Sequence, residues 1–230
     1  MLCAAFFTPL TNPVLQEACV DQAPLWLRVT PCAAGRSMKM IHIRDERVGD
    51  HQTRECLLDR VFGESRFEKT CERLREGRLP AEGLAFVVEK DGQLVGTVRL
   101  WSAMIGGQRD TLVLGPLAVD ASLHGLGIGS RLMRRALNRA ATLGHHSVLL
   151  VGDADYYARF GFSSGLTQGL TLPGPVERAR FLGLELVAGA LADAQGLVEA
   201  TGRFSDPMAS LSAVASGKSS AGLSFPVSFR

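Results

Sequence analysis

Several common functional classes find little support in this chain. Its five cysteines, Cys3, Cys19, Cys32, Cys56 and Cys71, are odd in number and form no CxxC pair. Neither a disulfide framework nor a zinc site is indicated, and a reducing cytoplasm is the expected setting. No apolar run approaches the roughly 18 residues of a membrane helix, so no membrane association is expected. Blocks of one charge sign are absent too. The 25 Lys and Arg are interspersed with 23 Asp and Glu, and the formal charge of +2 predicts no nucleic-acid partner. What remains, 230 residues of which 46% are hydrophobic and 21% charged, suits one globular domain with appendages or at most two small domains.

The first 39 residues hold Pro13, Pro24 and Pro31 and carry no periodic pattern, so they read as an extension. Glu17 and Asp21, with Arg28 as the first basic residue, argue against a targeting peptide. Met38 and Met40 offer an alternative translation start. From Ile41 the pattern is legible. Ile41-His42-Ile43-Arg44 alternates as a strand, residues 50–62 have helical spacing, and a second, mostly polar helix is expected over 65–76. Residues 84–88 and 94–101 read as a hairpin closed by Asp91-Gly92, and a further strand runs from Thr111 to Val119.

That last strand is interrupted by Gly115-Pro116, where pairing must break or bulge because proline has no N–H to donate. Either an edge strand or a deliberate opening accounts for it. Next come His124-Gly125-Leu126-Gly127-Ile128-Gly129-Ser130 and an amphipathic helix with Leu132, Met133, Ala136, Leu137 and Ala140 on one face. A Gly-rich turn that opens a helix points unpaired N–H groups and a positive dipole end at any anion lying there. The apolar strand Ser147–Val151 completes a parallel strand-helix-strand crossover. A P-loop would need Lys after its last glycine, but Arg131 follows Ser130; a dinucleotide fingerprint would need GxGxxG, but the glycines are evenly spaced.

Leu117-Ala118-Val119, followed by His124 through Met133, resembles motif A of the GNAT superfamily of N-acetyltransferases, Gln/Arg-x-x-Gly-x-Gly/Ala. Gly127 and Gly129 match its glycines, and His124 departs from the Gln/Arg position. Tyr156-Tyr157-Ala158-Arg159-Phe160-Gly161-Phe162 resembles the family's Phe-Tyr-x-x-x-Gly-Phe segment, and the surrounding residues are similar to a bacterial branch of predicted acetyltransferases. The resemblance implies an α/β fold, a mixed central sheet flanked by helices. It implies acetyl-CoA as co-substrate, without a metal, bound by Leu117, Ala118, Val119, His124, Gly125, Leu126, Gly127, Ile128, Gly129 and Ser130.

The implied reaction is direct attack of a primary amine on the thioester, with Tyr157 as acid toward the departing thiolate. Residues 40–187 would form this domain and 188–230 a C-terminal extension ending in a Ser/Gly-rich tail, while 167–172 and 180–186 would be strands of a meander. The acceptor stays open between a small molecule and a protein amine, a homodimer is allowed, and Glu89, Asp153, Asp155, His145 and His146 are all candidates for the base. Plainer readings stand beside these: a structural glycine joint, a packed Tyr157, a solvated His124, or a non-catalytic acyl-CoA-binding module.

Overall fold

The computed structural model describes residues 41–63, 66–67 and 70–205. The expected extension over 1–39 and the tail beyond 205 lie outside the described residues. Eight strands form one sheet among the described residues. They are β1 (Ile41–Asp45), β2 (Ala85–Lys90), β3 (Gln93–Ile105), β4 (Arg109–Val119), β5 (Ser147–Val151), β6 (Leu170–Thr171), β7 (Phe181–Glu185) and β8 (Gly196–Ala200). Helices α1 (His51–Phe62), α2 (Ile128–Thr142) and the single-turn α3 (Ala154–Ala158) complete it. The main order is β1-β2-β3-β4-β5-β7, antiparallel except where β4 and β5 run parallel.

Local chemistry accounts for these elements. Asp91 and Gly92 turn β2 into β3 with φ of 53° and 77°, both in the left-handed region a tight hairpin requires. On one sheet face α2 buries Leu132 and Met133 completely against Phe86, Leu100, Leu112 and Val148. Each such side chain contributes about 1.5–3 kcal/mol before ordering costs. On the other face, Leu57 and Leu58 of α1 pack on Val87, Leu94 and Ala118. Away from α2, Val113 of β4 and Leu149 of β5 are buried in a cluster with Leu74, Leu170 and Leu191, so both strands are covered on both sides and their sequences read as apolar runs.

A chain of ion pairs fastens α1 to the sheet. Glu46 accepts from buried Arg54 and from Arg99 of β3; Arg54 and Arg66 then share Glu55, and Arg66 also reaches Asp59 at 2.9 Å. At the start of α1, Arg44 donates to both carboxylate oxygens of Asp50, at 2.6 and 2.9 Å, and holds that carboxyl down to about 2.

Three elements differ from expectation. In the described part of 65–76, Thr70–Leu74 is a 3-10 turn in place of the expected helix; within it only Leu74 is buried, and Thr70 and Arg73 bond across the chain to Pro175 and Pro173. In place of a strand from Thr167, a 3-10 turn covers Ser164–Thr167 and only Leu170–Thr171 is extended. Arg178 takes the carbonyls of Thr167, Gln168 and Leu170, at 2.6, 2.9 and 2.7 Å, so this backbone curls around a guanidinium. Consequently β6 pairs with β8 rather than β7. The segment set apart from residue 188 supplies β8, which pairs with Ala103–Ile105 of β3.

Candidate functional site

The ladder between β4 and β5 is short. It joins Leu112 to Val148 and Val113 to Leu149 and then ends. Beyond it β4 bulges. Val98 faces Leu117 and Leu100 faces Leu114, so Gly115 and Pro116 together oppose Arg99. The Gly115–Pro116 peptide is cis, and Trp101 Nε1 donates to the Gly115 carbonyl at 2.5 Å. The proline thus interrupts a central strand, not an edge. Asp120 N–H donates to Val95 at 2.9 Å, so by alternation Ala118 also faces β3 while Leu117 and Val119 present their backbone groups to the opening. The result is a wedge between two parallel strands, with peptide groups on its β4 side that pair with neither neighbouring strand.

At the head of the wedge α2 begins. Gly125 and Gly127 adopt φ of 81° and 70°, which L side chains rarely accept, and Gly127 is the N-cap. No side chain caps this helix and no acidic residue occupies its first turn. Its leading N–H groups and dipole are therefore available to an anion. His124 Nε2 lies 3.1 Å from the Val119 carbonyl, so the ring donates there and fastens the turn to β4. Asp120 accepts from Ser122 through both its N–H and its hydroxyl, at 3.0 and 2.7 Å, and fixes the other side of the loop.

Helix α3 brings in the chain's two tyrosines. Asp153 caps it, accepting from Tyr156 N–H at 3.0 Å. The rings of Tyr156 and Tyr157 meet edge to face at 4.9 Å. Each lies over a glycine. A Cβ on Gly129 would sit 2.9 Å from the Tyr156 hydroxyl, and one on Gly152 would sit 2.2 Å from the Tyr157 ring. Burial, with smaller contributions from Tyr156 and Asp153, pushes the Tyr157 hydroxyl up to about 12. That hydroxyl has no hydrogen-bond partner among the described residues, and no buried side-chain oxygen or nitrogen is left unpaired there, so it opens to the cavity.

One cavity of about 1160 Å³ runs along the wedge. Of the expected coenzyme residues, Leu117, Val119, His124, Gly125, Gly127, Ile128, Gly129 and Ser130 line it, as does Tyr157. Ala118 turns its side chain onto Leu57 and Leu58, and Leu126 is 60% exposed; neither lines the cavity. Among the candidate bases only Asp153 does. Glu89 pairs with Arg44 at 2.9 Å in a separate hollow, while His145 and His146 precede β5, at the end opposite the wedge.

The far half of the cavity is built from residues that sequence reasoning missed. Arg66, Thr70, Cys71 and Arg75 come from one segment, and Pro175, Glu177 and Arg180 from another. Two bonds join these segments into a roof. Thr70 Oγ1 donates to the Pro175 carbonyl at 2.6 Å and Arg73 Nη1 to that of Pro173 at 2.7 Å. Among the described residues, no group of three or more His, Cys, Asp or Glu is placed to hold a metal ion, and no helix is long and apolar enough to cross a membrane.

Comparison with known proteins agrees with this geometry. A model of the Acetyltransferase (GNAT) family matches residues 48–162. The uncharacterized N-acetyltransferase YjhQ of Escherichia coli is 31% identical over 106 residues, 45% of this chain and 59% of that protein's length. Uncharacterized N-acetyltransferase YhbS of Escherichia coli is 30% identical over 146 residues, 63% of this chain and 87% of its own. The crystal structure of YhbS in complex with CoA superposes with a TM-score of 0.62, covering 71% of this chain and 91% of that one. A GNAT family acetyltransferase of Brucella melitensis, solved in complex with acetyl-CoA, is 29% identical with a TM-score of 0.53, covering 71% of this chain and 97% of that one.

Proposed function

The chain belongs to the GNAT acetyltransferase family, and on that premise we propose that it transfers an acetyl group from acetyl-CoA to a primary amine by direct attack on the thioester. The observation that carries this reading is the wedge: an uncapped helix N-terminus, a strand edge with free peptide groups and the Tyr157 hydroxyl share one cavity. The coenzyme's pyrophosphate suits the first turn of α2, where Gly127, Ile128, Gly129 and Ser130 offer N–H donors. Its pantetheine arm carries amides that complement the free edge of β4 at Leu117 and Val119.

The chemistry follows from what these groups can do. The amine nitrogen forms a bond to the thioester carbonyl carbon, the carbon–sulfur bond breaks, and the ammonium proton passes to solvent or to a carboxylate of the lining. Leu117 N–H, facing the wedge, is placed to donate to the carbonyl oxygen as it gains charge. A hydroxyl held near 12 lies above the thiol range of ~8.5, so complete proton transfer to sulfur is uphill. Tyr157 therefore acts by donating a hydrogen bond to the developing thiolate, which takes its final proton from water.

Incubation of the protein with acetyl-CoA and a panel of primary amines, reading free thiol and acetylated product mass, tests this reading. Thiol release that depends on an amine and on Tyr157 is expected. Coenzyme binding without amine-dependent release would leave a non-catalytic module.

A further inference from the structure

The two halves of the cavity differ in charge. Arg66, which lines the far half, is neutralised by Glu55 at 2.6 Å and Asp59 at 2.9 Å. Arg75 is only half engaged. Glu72 takes its Nε and its Nη2, each at 2.7 Å, which leaves Nη1 beside the β4 bulge, 3.4 Å from where a Cβ on Gly115 would lie. Since no buried side-chain nitrogen among the described residues lacks a partner, this Nη1 opens to the cavity. Arg180 is freer still. Among the described residues it makes no ion pair, and its side-chain hydrogen bond is a long one of 3.4 Å from Nε to the Gly152 carbonyl, at the end of β5. Two guanidinium groups thus flank the wedge on the acceptor side, one over each strand, with donors that no carboxylate occupies.

A guanidinium with free donors at the wall of a cavity is the strongest side-chain receptor for a carboxylate or a phosphate. The tie between the two segments adds a size limit. With Thr70 and Arg73 bonded to the 173–175 segment, a bulky protein surface entering between these lining segments would have to part both bonds. The lining also contains Glu177, three residues before Arg180 and without an ion pair among the described residues, which suits a positive group. Resting on the transfer reading above, we infer that the acceptor is a small amine bearing an anionic group, carboxylate or phosphate, which Arg75 and Arg180 hold while its nitrogen approaches the thioester. Arg75 and Arg180 are then specificity-determining residues.

Calorimetric titration of the protein saturated with coenzyme A tests this with three amines of similar size: n-propylamine, β-alanine and 2-aminoethyl phosphate. At least one of the two anionic amines is expected to bind about 10-fold or more tighter than n-propylamine, and which one does distinguishes carboxylate from phosphate. Arg180→Gln, on an exposed side chain, should erase that preference with circular dichroism and coenzyme affinity unchanged, and Arg180→Lys should restore part of it. Equal binding of all three amines, no binding by any of them, or an undiminished preference in folded Arg180→Gln overturns the inference. Acetylation of the bound amine is read separately. Preference without transfer keeps the anion site and sinks the acetyltransferase reading, whereas transfer without preference does the reverse.

Discussion

Under the proposed function, the coenzyme half of the cavity is made of backbone and the acceptor half of side chains. On the first side the proposed working groups are the peptide N–H and C=O of Leu117, the Val119 N–H and the N–H groups at the start of α2, and side chains matter mainly by being absent or by fastening the turn. On the second side Arg75, Glu177 and Arg180 do the recognising, from segments about 100 residues apart in the chain. The difference teaches how such a site can change partner. A donor grip built from backbone tolerates few substitutions, while an acceptor grip built from side chains can be rewritten one residue at a time.

Several variants would break or sharpen that contrast. The largest effect is expected where the acceptor half is founded on the sheet. Glu46→Gln withdraws the shared carboxylate from buried Arg54 and from Arg99, and should cost about 3–5 kcal/mol in chemical denaturation. A loss below about 1 kcal/mol would show that the ion-pair chain is not a foundation. In the coenzyme half, Gly129→Val drives a Cβ into the Tyr156 hydroxyl and should weaken coenzyme A binding by ~100-fold while leaving the acceptor roof intact.

Tyr157→Phe should lower turnover by about 100-fold with coenzyme affinity unchanged. The pH profile sharpens this. A hydroxyl held near 12 stays protonated below that value, so turnover should rise with pH as the amine loses its proton, with no alkaline fall from Tyr157 before about pH 11. A falling limb between pH 8 and 10 that vanishes in Tyr157→Phe would contradict the raised value. The smallest effect belongs to His124→Ala. It removes one hydrogen bond to the Val119 carbonyl and should weaken coenzyme binding by a factor of about 2–10.

The sequence was informative where function is written in backbone. Gly115-Pro116 announced a broken ladder, the glycines after His124 a bare helix start, and the apolar run of Ser147–Val151 a strand covered on both faces. Each is a local pattern with one physical cause. The acceptor half has no such signature. Arg75 looks like any polar residue of a surface turn until the fold sets it over Gly115, and Arg180 is one arginine among several until β7 pairs with β5 and brings it to Gly152. Within the helix expected over 65–76, the described stretch Thr70–Leu74 is a 3-10 turn whose side-chain bonds lie across the chain, at Pro173 and Pro175. The expected strand from Thr167 failed because Arg178 claims its carbonyls.

The last described residues reach back to the segment that follows Arg75. Phe204 bridges to Arg78, whose guanidinium stacks on its ring at 4.2 Å; Leu79 N–H donates to Arg203 at 2.7 Å, and Ser205 N–H to Gly77 at 2.8 Å. The chain therefore ties its own selectivity to residues far downstream of every family motif. A version shortened to the motif-bearing core would keep its grip on the donor and lose the frame that holds the receptor for the other substrate. Such a protein would hold a thioester-activated acetyl group with less power to choose where it goes.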